Sequence, residues 1–176
     1  MTATAWQVVE PARVPLVGGS SALVDACDFR SIAGLPWRLL RGHNGKQYAY
    51  ARVGDVTTYL HRLILGAPQG LEVDHLSGDG LDNRRANLRL ATQSQNSANS
   101  WKPRRADGAA TTSQYKGVSW DRTRDRWQAK VTIHGVCRNL GRYDDEAEAA
   151  RAYDAAALSA WGDFARVNFP NGMVTA

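Results

Sequence analysis

Residues 70–100, GLEVDHLSGDGLDNRRANLRLATQSQNSANS, form the densest polar stretch of the chain and decide its fold. The run that ends at His75 predicts the end of a β-strand, residues 77–83 predict a loop, and residues 87–91 predict a second short strand. A helix is expected to begin at Thr92, which forms a T-x-x-Q capping box with the glutamine that follows three residues later. The predicted order is therefore strand, loop, strand, helix.

This stretch carries the groups that phosphodiester hydrolysis needs: a base that activates water, a cation that offsets the developing charge, and groups that hold the base in place. His75 has an ordinary pKa of about 6.5, so it is largely neutral at pH 7 to 8 and can accept the proton of water. The carboxylate of Asp74 and the amide oxygen of Asn96 are hard ligands suited to Mg²⁺ or Mn²⁺. Asn87 is a further candidate for the site. Asn99 lies three residues after Asn96 and stays open as the alternative ligand.

The segments LHRLILG, VDHLSGDGLDNRRANLRLAT and QNSAN follow one another in this order. Residues 23–100 thereby resemble the HNH endonucleases of the phage and intron homing type. The resemblance implies the ββα-metal fold, with His75 as general base and Asn87 as the residue that orients it. It also implies that Asp74 and Asn96 hold one divalent cation, Mg²⁺ or Mn²⁺. The parent motif ends in histidine, so Asn96 makes this the H-N-N variant.

Other polar residues near the motif have less specific interpretations. His61, in YLHRLIL, is expected to be a packed or hydrogen-bonded structural histidine. Three loop residues are expected to shape the loop through Asx turns rather than bind metal: Asp79, Asp82 and Asn83. Three arginines beside the predicted site are expected to contact the DNA backbone: Arg84, Arg85 and Arg89.

The segments before the motif predict an N-terminal tail and a set of strands. Residues 1–21 have no periodicity and are expected to be a loosely held tail or a first edge strand. Residues 22–65 contain short β-type runs separated by turn signals: LVDACDF, PWRLL, QYAYARV and TTYLHRLIL. The nuclease domain is therefore expected to cover residues 22–100.

Residues 101–112, WKPRRADGAATT, predict a basic linker. Three of its side chains are candidate DNA contacts: Lys102, Arg104 and Arg105. After it, residues 113–143 carry seven basic and two acidic residues, whereas residues 144–163 carry six acids and one arginine. The first segment is suited to phosphate and the second is not.

Residues 113–170 predict a second domain, followed by a short tail over 171–176. YKGVSW, RWQAKVTI and CRNLGRY are expected to form a three-stranded antiparallel sheet, and DDEAEAARAYDAAALSAWG a helix packed across it. The apolar face of the helix is predicted to comprise Ala147, Ala150, Tyr153, Ala157, Leu158 and Trp161. Strand alternation places Gln128, Lys130 and Thr132 on the face opposite Trp127, Ala129, Val131 and Ile133.

SQYKGVSWDRTRDRWQAKV, NLGRYDDEAEAARAYDAAAL and ARVNFP resemble the AP2 (ERF-type) DNA-binding domain. The resemblance implies that the sheet face recognises DNA. By position it makes six residues candidate contacts: Lys116, Ser119, Arg122, Lys130, Thr132 and Asn139. Trp127 and Trp161 are expected in the core, and Trp120 either in the core or at the DNA.

Composition bounds the remaining possibilities. With 176 residues, 43% of them hydrophobic, and a net charge of +5, the chain fits two compact domains of an α+β protein that meets a polyanion. Cys27 and Cys137 stand far apart with no metal-ligand spacing, so neither structural zinc nor a disulfide framework is expected. No apolar run approaches the length of a membrane span. A monomer inside a bacterial or phage-infected cell is expected.

The sequence therefore predicts a site-directed, metal-dependent endonuclease that acts on double-stranded DNA. It is expected to nick one strand and leave a 3′-hydroxyl and a 5′-phosphate. The main alternative is a non-catalytic AP2-type regulator whose HNH module has decayed. A structure-selective or non-specific nuclease, acting on DNA or RNA, is a second alternative.

Overall fold

The computed structural model describes residues 10–42, 45–101 and 112–170. The chain is mixed α/β with small antiparallel sheets and divides into two compact units, Met1–Leu90 and Ala91–Ala176. This boundary falls inside the predicted nuclease domain over 22–100, so the last helix of the nuclease motif is part of the second unit. Most of the predicted linker, including Lys102, Arg104 and Arg105, lies outside the described residues, as does the tail over 171–176.

The first unit is built from short strands and two helices. In chain order its elements are β1 (Ala12–Pro15), β2 (Ser21–Val24), α1 (Ala26–Ile32), β3 (Arg38–Arg41), β4 (Gln47–Val53), β5 (Val56–Tyr59), α2 (Leu60–Leu65), β6 (Glu72–His75), a 3₁₀ turn (Arg85–Asn87) and β7 (Leu88–Ala91). β1 pairs with β2, β4 lies between β3 and β5, and β6 pairs with β7. The predicted strand end at His75 is confirmed.

Two of the predicted strands are wrong over their second halves. LVDACDF is a strand only up to Val24 and continues as α1, and TTYLHRLIL turns into α2 at Leu60. In α2 the apolar residues Leu60 and Ile64 are four apart and both are buried, which is a helical spacing rather than a strand alternation. Six-residue apolar runs fit either pattern, so tertiary packing decided between them.

Residues 1–21 contain the first edge strand that was predicted as the alternative to a loose tail. This strand is β1, and Val14 and Leu16 are buried in the core of the first unit together with Trp37 and Leu60. β2 reaches the predicted site through its backbone. The Leu23 N–H donates to the Leu81 carbonyl at 2.8 Å, and the Asn83 N–H donates to the Leu23 carbonyl at 2.7 Å. The N-terminal hairpin therefore supports the loop that follows β6.

The second unit contains α3 (Gln93–Ala98), β8 (Val118–Asp121), β9 (Arg126–Ile133), β10 (Val136–Tyr143), α4 (Glu146–Trp161) and a 3₁₀ turn (Gly162–Phe164). The three strands form one antiparallel sheet with β9 in the centre, and α4 packs on it. α3 begins at the predicted capping box of Thr92 and Gln95, which is confirmed. The expected sheet with one helix across it is thus present.

The predicted burial in this unit holds with two exceptions. Ala129 and Val131 of β9 face α4, and Lys130 and Thr132 are exposed on the other side. Leu158, predicted on the packed face of α4, is 51% exposed. Gln128 lies on the open face of the sheet but is buried, because neighbouring strands flank it on both sides.

Within the described residues, none of the helices is both long enough and apolar enough to span a bilayer.

Candidate active site

The centre of the candidate site is the pair of consecutive residues at the end of β6. Asp74 is 3% exposed and His75 is 5% exposed, so a carboxylate and an imidazole are both withdrawn from water. Burial of polar groups is costly unless they are paired. The contacts of these two side chains therefore show how the cost of burying them is offset.

The imidazole of His75 is enclosed by aromatic rings and one amide. The His61 ring from α2 meets it edge-on at a centroid distance of 5.1 Å, and the Tyr48 ring from β4 lies at 6.0 Å. Nε2 of His75 lies 3.4 Å from Oδ1 of Asn83, which is fully buried. When Nε2 carries the hydrogen and donates to this oxygen, the lone pair of the neutral ring is on Nδ1.

Burial lowers the pKa of His75, and the hydrogen bond with Asn83 and the nearby carboxylates of Asp74, Asp79 and Asp82 offset part of that effect. The surroundings therefore keep the ring neutral at physiological pH. Burial also lowers the pKa of His61, to about 3, with His75 and Arg62 contributing in the same direction. The His61 ring that contacts His75 is therefore uncharged at physiological pH.

His61 and Arg62 support the site from α2. The expectation that His61 is packed agrees with its place between the rings of Tyr48 and Tyr59, but Nδ1 is buried and has no hydrogen-bond partner among the described residues. The Arg62 guanidinium donates to the carbonyls of Leu71, Ala67 and Pro68 at 2.7, 3.1 and 2.9 Å. Arg62 thereby fixes the turn that leads into β6.

Asn87 holds the loop after His75 rather than the ring itself. Its Oδ1 accepts the N–H of Ser77 at 2.9 Å, its Nδ2 donates to the carbonyl of Asp82 at 2.7 Å, and its backbone carbonyl accepts the N–H of Leu76 at 2.9 Å. Asn87 therefore orients the backbone at both ends of the loop, through Ser77 and Asp82. The side chain that contacts the ring is Asn83, which the sequence assigned only to shaping the loop. No spacing or residue type distinguished it there.

The loop also contains the expected Asx turns. Asp79 Oδ1 accepts the N–H of Leu81 at 2.9 Å, and Asp82 Oδ1 accepts the N–H of Arg84 at 3.3 Å. Asp82 also pairs with the Arg84 guanidinium through bonds of 2.8 and 2.6 Å, and these bonds lower the pKa of Asp82.

All three arginines predicted to contact DNA lie against carboxylates. Arg89 donates to Oδ2 of Asp74, which is the predicted metal ligand, at 2.8 Å. Arg85 binds Asp28 of α1 through two hydrogen bonds of 2.9 and 2.7 Å, and its backbone N–H donates to Asp25. Arg84 and Arg85 remain 41% and 51% exposed, whereas Arg89 is 18% exposed. Arg84 and Arg85 are accessible to a phosphate, and Arg89 is mostly covered.

Asn96 and the alternative ligand Asn99 both lie on or next to α3 in the second unit. Asn96 is half-buried in the middle of the helix. Asn99 is the residue at the C-terminal end, is buried, and its carbonyl accepts a bond from Arg166 at 3.2 Å.

The donor chemistry of Asp74 fits a hard divalent cation. A buried carboxylate next to a neutral imidazole offers charge and oxygen, which Mg²⁺ and Mn²⁺ prefer, and asparagine amides supply further oxygens. The guanidinium of Arg89 opposes the binding of a cation there, because it already balances part of the charge of Asp74. A bound cation would share this carboxylate with Arg89.

The open face of the second unit's sheet carries four of its six predicted contacts. Ser119, Lys130, Thr132 and Asn139 are exposed, and the pairing of Ser119 with Gln128 and of Asn139 with Lys130 places them on one surface. Arg122 is exposed in the turn between β8 and β9. Trp120 packs edge-on against Trp127, which borders the core below α4, so it belongs to the opposite face.

Lys116 is the exception among these predictions. Its ammonium donates to the carbonyls of Ala98 and Ser100 at 2.5 and 2.7 Å and lies 5.9 Å from the centre of the Tyr153 ring. The structure therefore places the Lys116 ammonium at the end of α3, beside a cavity that Lys130 and Thr132 of the sheet face also line.

Comparison with known proteins gives a family match over the segment that contains these residues. The profile of the HNH endonuclease family matches residues 58–98, which include α2, Asp74, His75, Asn87 and Asn96. The chain therefore contains an HNH endonuclease domain. It is 36% identical over 77 residues to protein 3.8 of Escherichia phage T7, a match that covers 44% of this chain and 60% of that protein.

A longer match joins the chain to an uncharacterized HNH endonuclease, L560, of Acanthamoeba polyphaga mimivirus. The two are 27% identical over 152 residues, which cover 85% of this chain and 75% of the relative. A different kind of relative is the AP2-like ethylene-responsive transcription factor CRL5 of Oryza sativa subsp. japonica, 43% identical over 70 residues that cover 34% of this chain and 10% of that factor. No solved structure matches the chain.

Proposed function

We propose that this chain is a site-directed, divalent-metal-dependent DNA endonuclease of the homing type, with an AP2-like domain that binds the DNA. It hydrolyses one phosphodiester bond of double-stranded DNA per encounter, leaving a 3′-hydroxyl and a 5′-phosphate. It acts as a monomer inside a bacterial or phage-infected cell, in keeping with its likeness to a T7 protein. The observation that carries the proposal is the buried Asp74-His75 pair within the HNH match, with the imidazole enclosed and kept neutral.

His75 is the general base of the proposed reaction. With Nε2–H donating to Asn83, the ring accepts a proton from water at Nδ1 as the water attacks phosphorus. Asn83 holds the ring in this tautomer, and Asn87 holds the loop that carries Asn83. The imidazolium formed is stabilised by the carboxylates of Asp74, Asp79 and Asp82. The 3′ oxygen departs with the electrons of the broken P–O bond.

Asp74 and Asn96 are the proposed ligands of one Mg²⁺ or Mn²⁺ ion. Such an ion, when bound, offsets the charge that develops on the phosphorane and on the departing 3′ oxygen. Arg89 orients the Asp74 carboxylate through its contact with Oδ2. This role fits its low exposure better than the phosphate contact that the sequence predicted.

Two surfaces are proposed to hold the DNA. Arg84 and Arg85, exposed beside the site, meet the backbone near the scissile phosphate. The sheet face of the second unit, with Ser119, Lys130, Thr132 and Asn139, meets base edges and phosphates, and Arg122 extends it. The likeness to AP2-like factors supports this assignment.

The test is cleavage of supercoiled plasmid and of host and phage DNA in the presence of Mg²⁺ or Mn²⁺, with EDTA as a control. We expect metal-dependent nicked product, and end-labelling should find a 3′-hydroxyl and a 5′-phosphate. The chain offers a matched pair of variants, since His75→Asn removes the base whereas His134→Asn makes the same change at an exposed turn. His75→Asn should lose cleavage and keep DNA binding, and His134→Asn should keep both.

Two other results would each favour an alternative. DNA that is bound tightly but left intact under every metal condition would indicate the non-catalytic regulator. Cleavage without a defined product would indicate a non-specific nuclease, and faster cleavage of RNA would indicate an RNA substrate. Cleavage by His75→Asn at the native rate would remove His75 from the reaction.

A further inference from the structure

The helix α3 is too short to be stable alone. It has six residues, and isolated helices below about 12–15 residues are marginal in water. Its only buried residue is Ala98, so apolar packing contributes little. The capping box of Thr92 and Gln95 satisfies its first turn. Its position must therefore be set by polar contacts at the other end.

Those contacts come from two residues that flank the sheet and helix of the second unit, Lys116 before β8 and Arg166 after the 3₁₀ turn. Lys116 donates to the carbonyls of Ala98 and Ser100, and Arg166 donates to the carbonyls of Ala98 and Asn99, from its backbone N–H at 3.1 Å and from Nε at 3.2 Å. Three consecutive carbonyls that a helix end leaves unpaired are thereby satisfied by cationic residues. The positive charge also complements the negative end of the helix.

A second contact fixes the rotation of the helix. The indole N–H of Trp161, the last residue of α4, donates to the hydroxyl of Ser94 at 3.1 Å. Ser94 and Ala98 are one turn apart, so α3 is held at both ends of the same side. Asn96 lies between these two points.

The backbone of Lys116 is itself held by hydrogen bonds. The side chain of Asn168 bonds both the N–H and the carbonyl of Lys116, at 2.7 and 3.1 Å. Asp154 of α4 accepts bonds from Asn168 and from the Phe169 N–H. Asp154 is buried, so this network ties the backbone of Lys116 to α4.

We infer that Lys116, Trp161 and Arg166 are positioning residues for cleavage, through which the DNA-binding domain sets the pose of Asn96. The inference rests on the proposed function, in which Asn96 is a ligand of the cation. It gives the second domain a role besides target binding, because residues of that domain donate hydrogen bonds to the helix that ends the nuclease motif. It also moves Lys116 from the set of DNA contacts to the set that shapes the site.

The first test is amide hydrogen exchange of residues 94–100 in the full-length protein without DNA or metal. Lys116→Met removes the ammonium and keeps a side chain of similar length. Loss of hydrogen bonds from a charged donor should accelerate exchange in α3 by about 10-fold or more. Lys116→Arg, which keeps a charged donor, should restore most of the protection, whereas Trp161→Phe should give a smaller increase of about 2- to 10-fold.

Lys130→Met is the matched control, because it makes the same substitution on the exposed sheet face. It should weaken DNA binding and leave exchange in α3 unchanged. Lys116→Met should do the reverse: DNA affinity stays, and Mn²⁺ binding to the protein, followed by electron paramagnetic resonance, weakens several-fold. Exchange in β9 reports whether the domain is still folded. If Lys116→Met unfolds it, Trp161→Phe and Ser94→Ala serve in its place.

The outcomes separate this inference from the proposed function. Faster exchange in α3 with weaker Mn²⁺ binding supports positioning, and the exchange result stands even if the wild type cuts no DNA. Unchanged exchange in both Lys116→Met and Trp161→Phe would overturn it, since α3 would then be held by something else. Faster exchange with unaltered Mn²⁺ binding and cutting would overturn the link to Asn96.

Discussion

Gly80→Ala tests whether the loop after β6 sets the activity of the site. Gly80 is buried, and its φ lies outside the left-handed region, so alanine meets no backbone penalty. The added Cβ would collide with the backbone oxygen of Gln47 and would lie only 2.7 and 2.8 Å from two ring carbons of Tyr48. Because carbon atoms in contact need about 3.5–4.0 Å, the loop or β4 must move by about 1 Å.

Such a movement has two expected consequences. Overpacking of this kind costs about 1–3 kcal/mol of stability. The Gly80 carbonyl accepts a bond from Asn83, and Asn83 contacts the ring of His75, so the displacement reaches the proposed base. A misplacement of about 1 Å at a catalytic group lowers a rate by about 10²-fold.

Gly34→Ala is the control, since Gly34 also has an ordinary φ and nothing lies within 4 Å of its Cβ position. It should leave stability unchanged or raise it by up to about 1 kcal/mol, because alanine restricts the unfolded chain. Native-state hydrogen exchange of β4 and β6 measures the stability, and plasmid nicking measures the activity. Equal stability and equal nicking rates for the two variants would refute the reasoning that this loop is packed without spare room.

Three further predictions concern stability. The pKa of His61 is lowered to about 3, so the unfolded chain binds more protons than the folded chain between about pH 3 and 6.5, and stability should fall by about 1.4 kcal/mol per pH unit below about pH 6.5. Unfolding in urea at pH 7 and at pH 5 should show this loss of stability in the wild type and a smaller loss in His61→Phe. Equal losses in the two proteins would count against the prediction. Gly117→Ala and Gly135→Ala both force alanine to a φ near +78°, but only the Cβ at position 117 meets the ring of Tyr153, at 2.5 and 2.6 Å. Hydrogen exchange in β9 should therefore show Gly117→Ala to be less stable than Gly135→Ala by about 1–3 kcal/mol. The reverse order of stability would contradict the packing of Gly117 against α4. Arg85→Ala should lower the stability of the first unit by about 1–2 kcal/mol, because Asp28 loses two hydrogen bonds. Adding Asp28→Asn to Arg85→Ala should cause no further loss of stability. Unchanged stability of Arg85→Ala with weaker DNA binding would make Arg85 a DNA contact only.

The predictable part of the fold came from patterns that are local. The capping box at Thr92, the alternation in β9 and the acidic first turn and alanine-rich face of α4 each lie within a few residues, and each predicted its element. α1 and α2 were missed because their apolar runs are short, and a short run fits a strand or a helix equally well. The strand β1 was predicted only as the alternative to a loose tail, because four residues without alternation give a weak signal until a partner strand is present.

The candidate site divides in the same way. Asp74, His75 and Asn87 were predicted from the sequence because the motif that it resembles places them around one loop. Asn83 and His61 were not assigned to the ring of His75, because they come from the middle of the loop and from α2, and only packing brings them to it. The arginines were predicted from charge alone, and charge does not show which carboxylate a guanidinium will meet.

The sequence by itself determined which groups the candidate site contains: an imidazole and a carboxylate in adjacent positions, an oxygen-rich motif around them, and a basic sheet segment followed by an acidic helix. These are properties of residue type and spacing, which the chain carries whether or not it is folded. Only the tertiary structure decided that Arg89 lies on Asp74, that Asn83 contacts the ring of His75, and that the Lys116 ammonium bonds the end of α3. Such pairings join residues that are 8 to 18 positions apart. They form because a buried polar group must find a partner, and the partner is whichever group the packing of the core brings within reach.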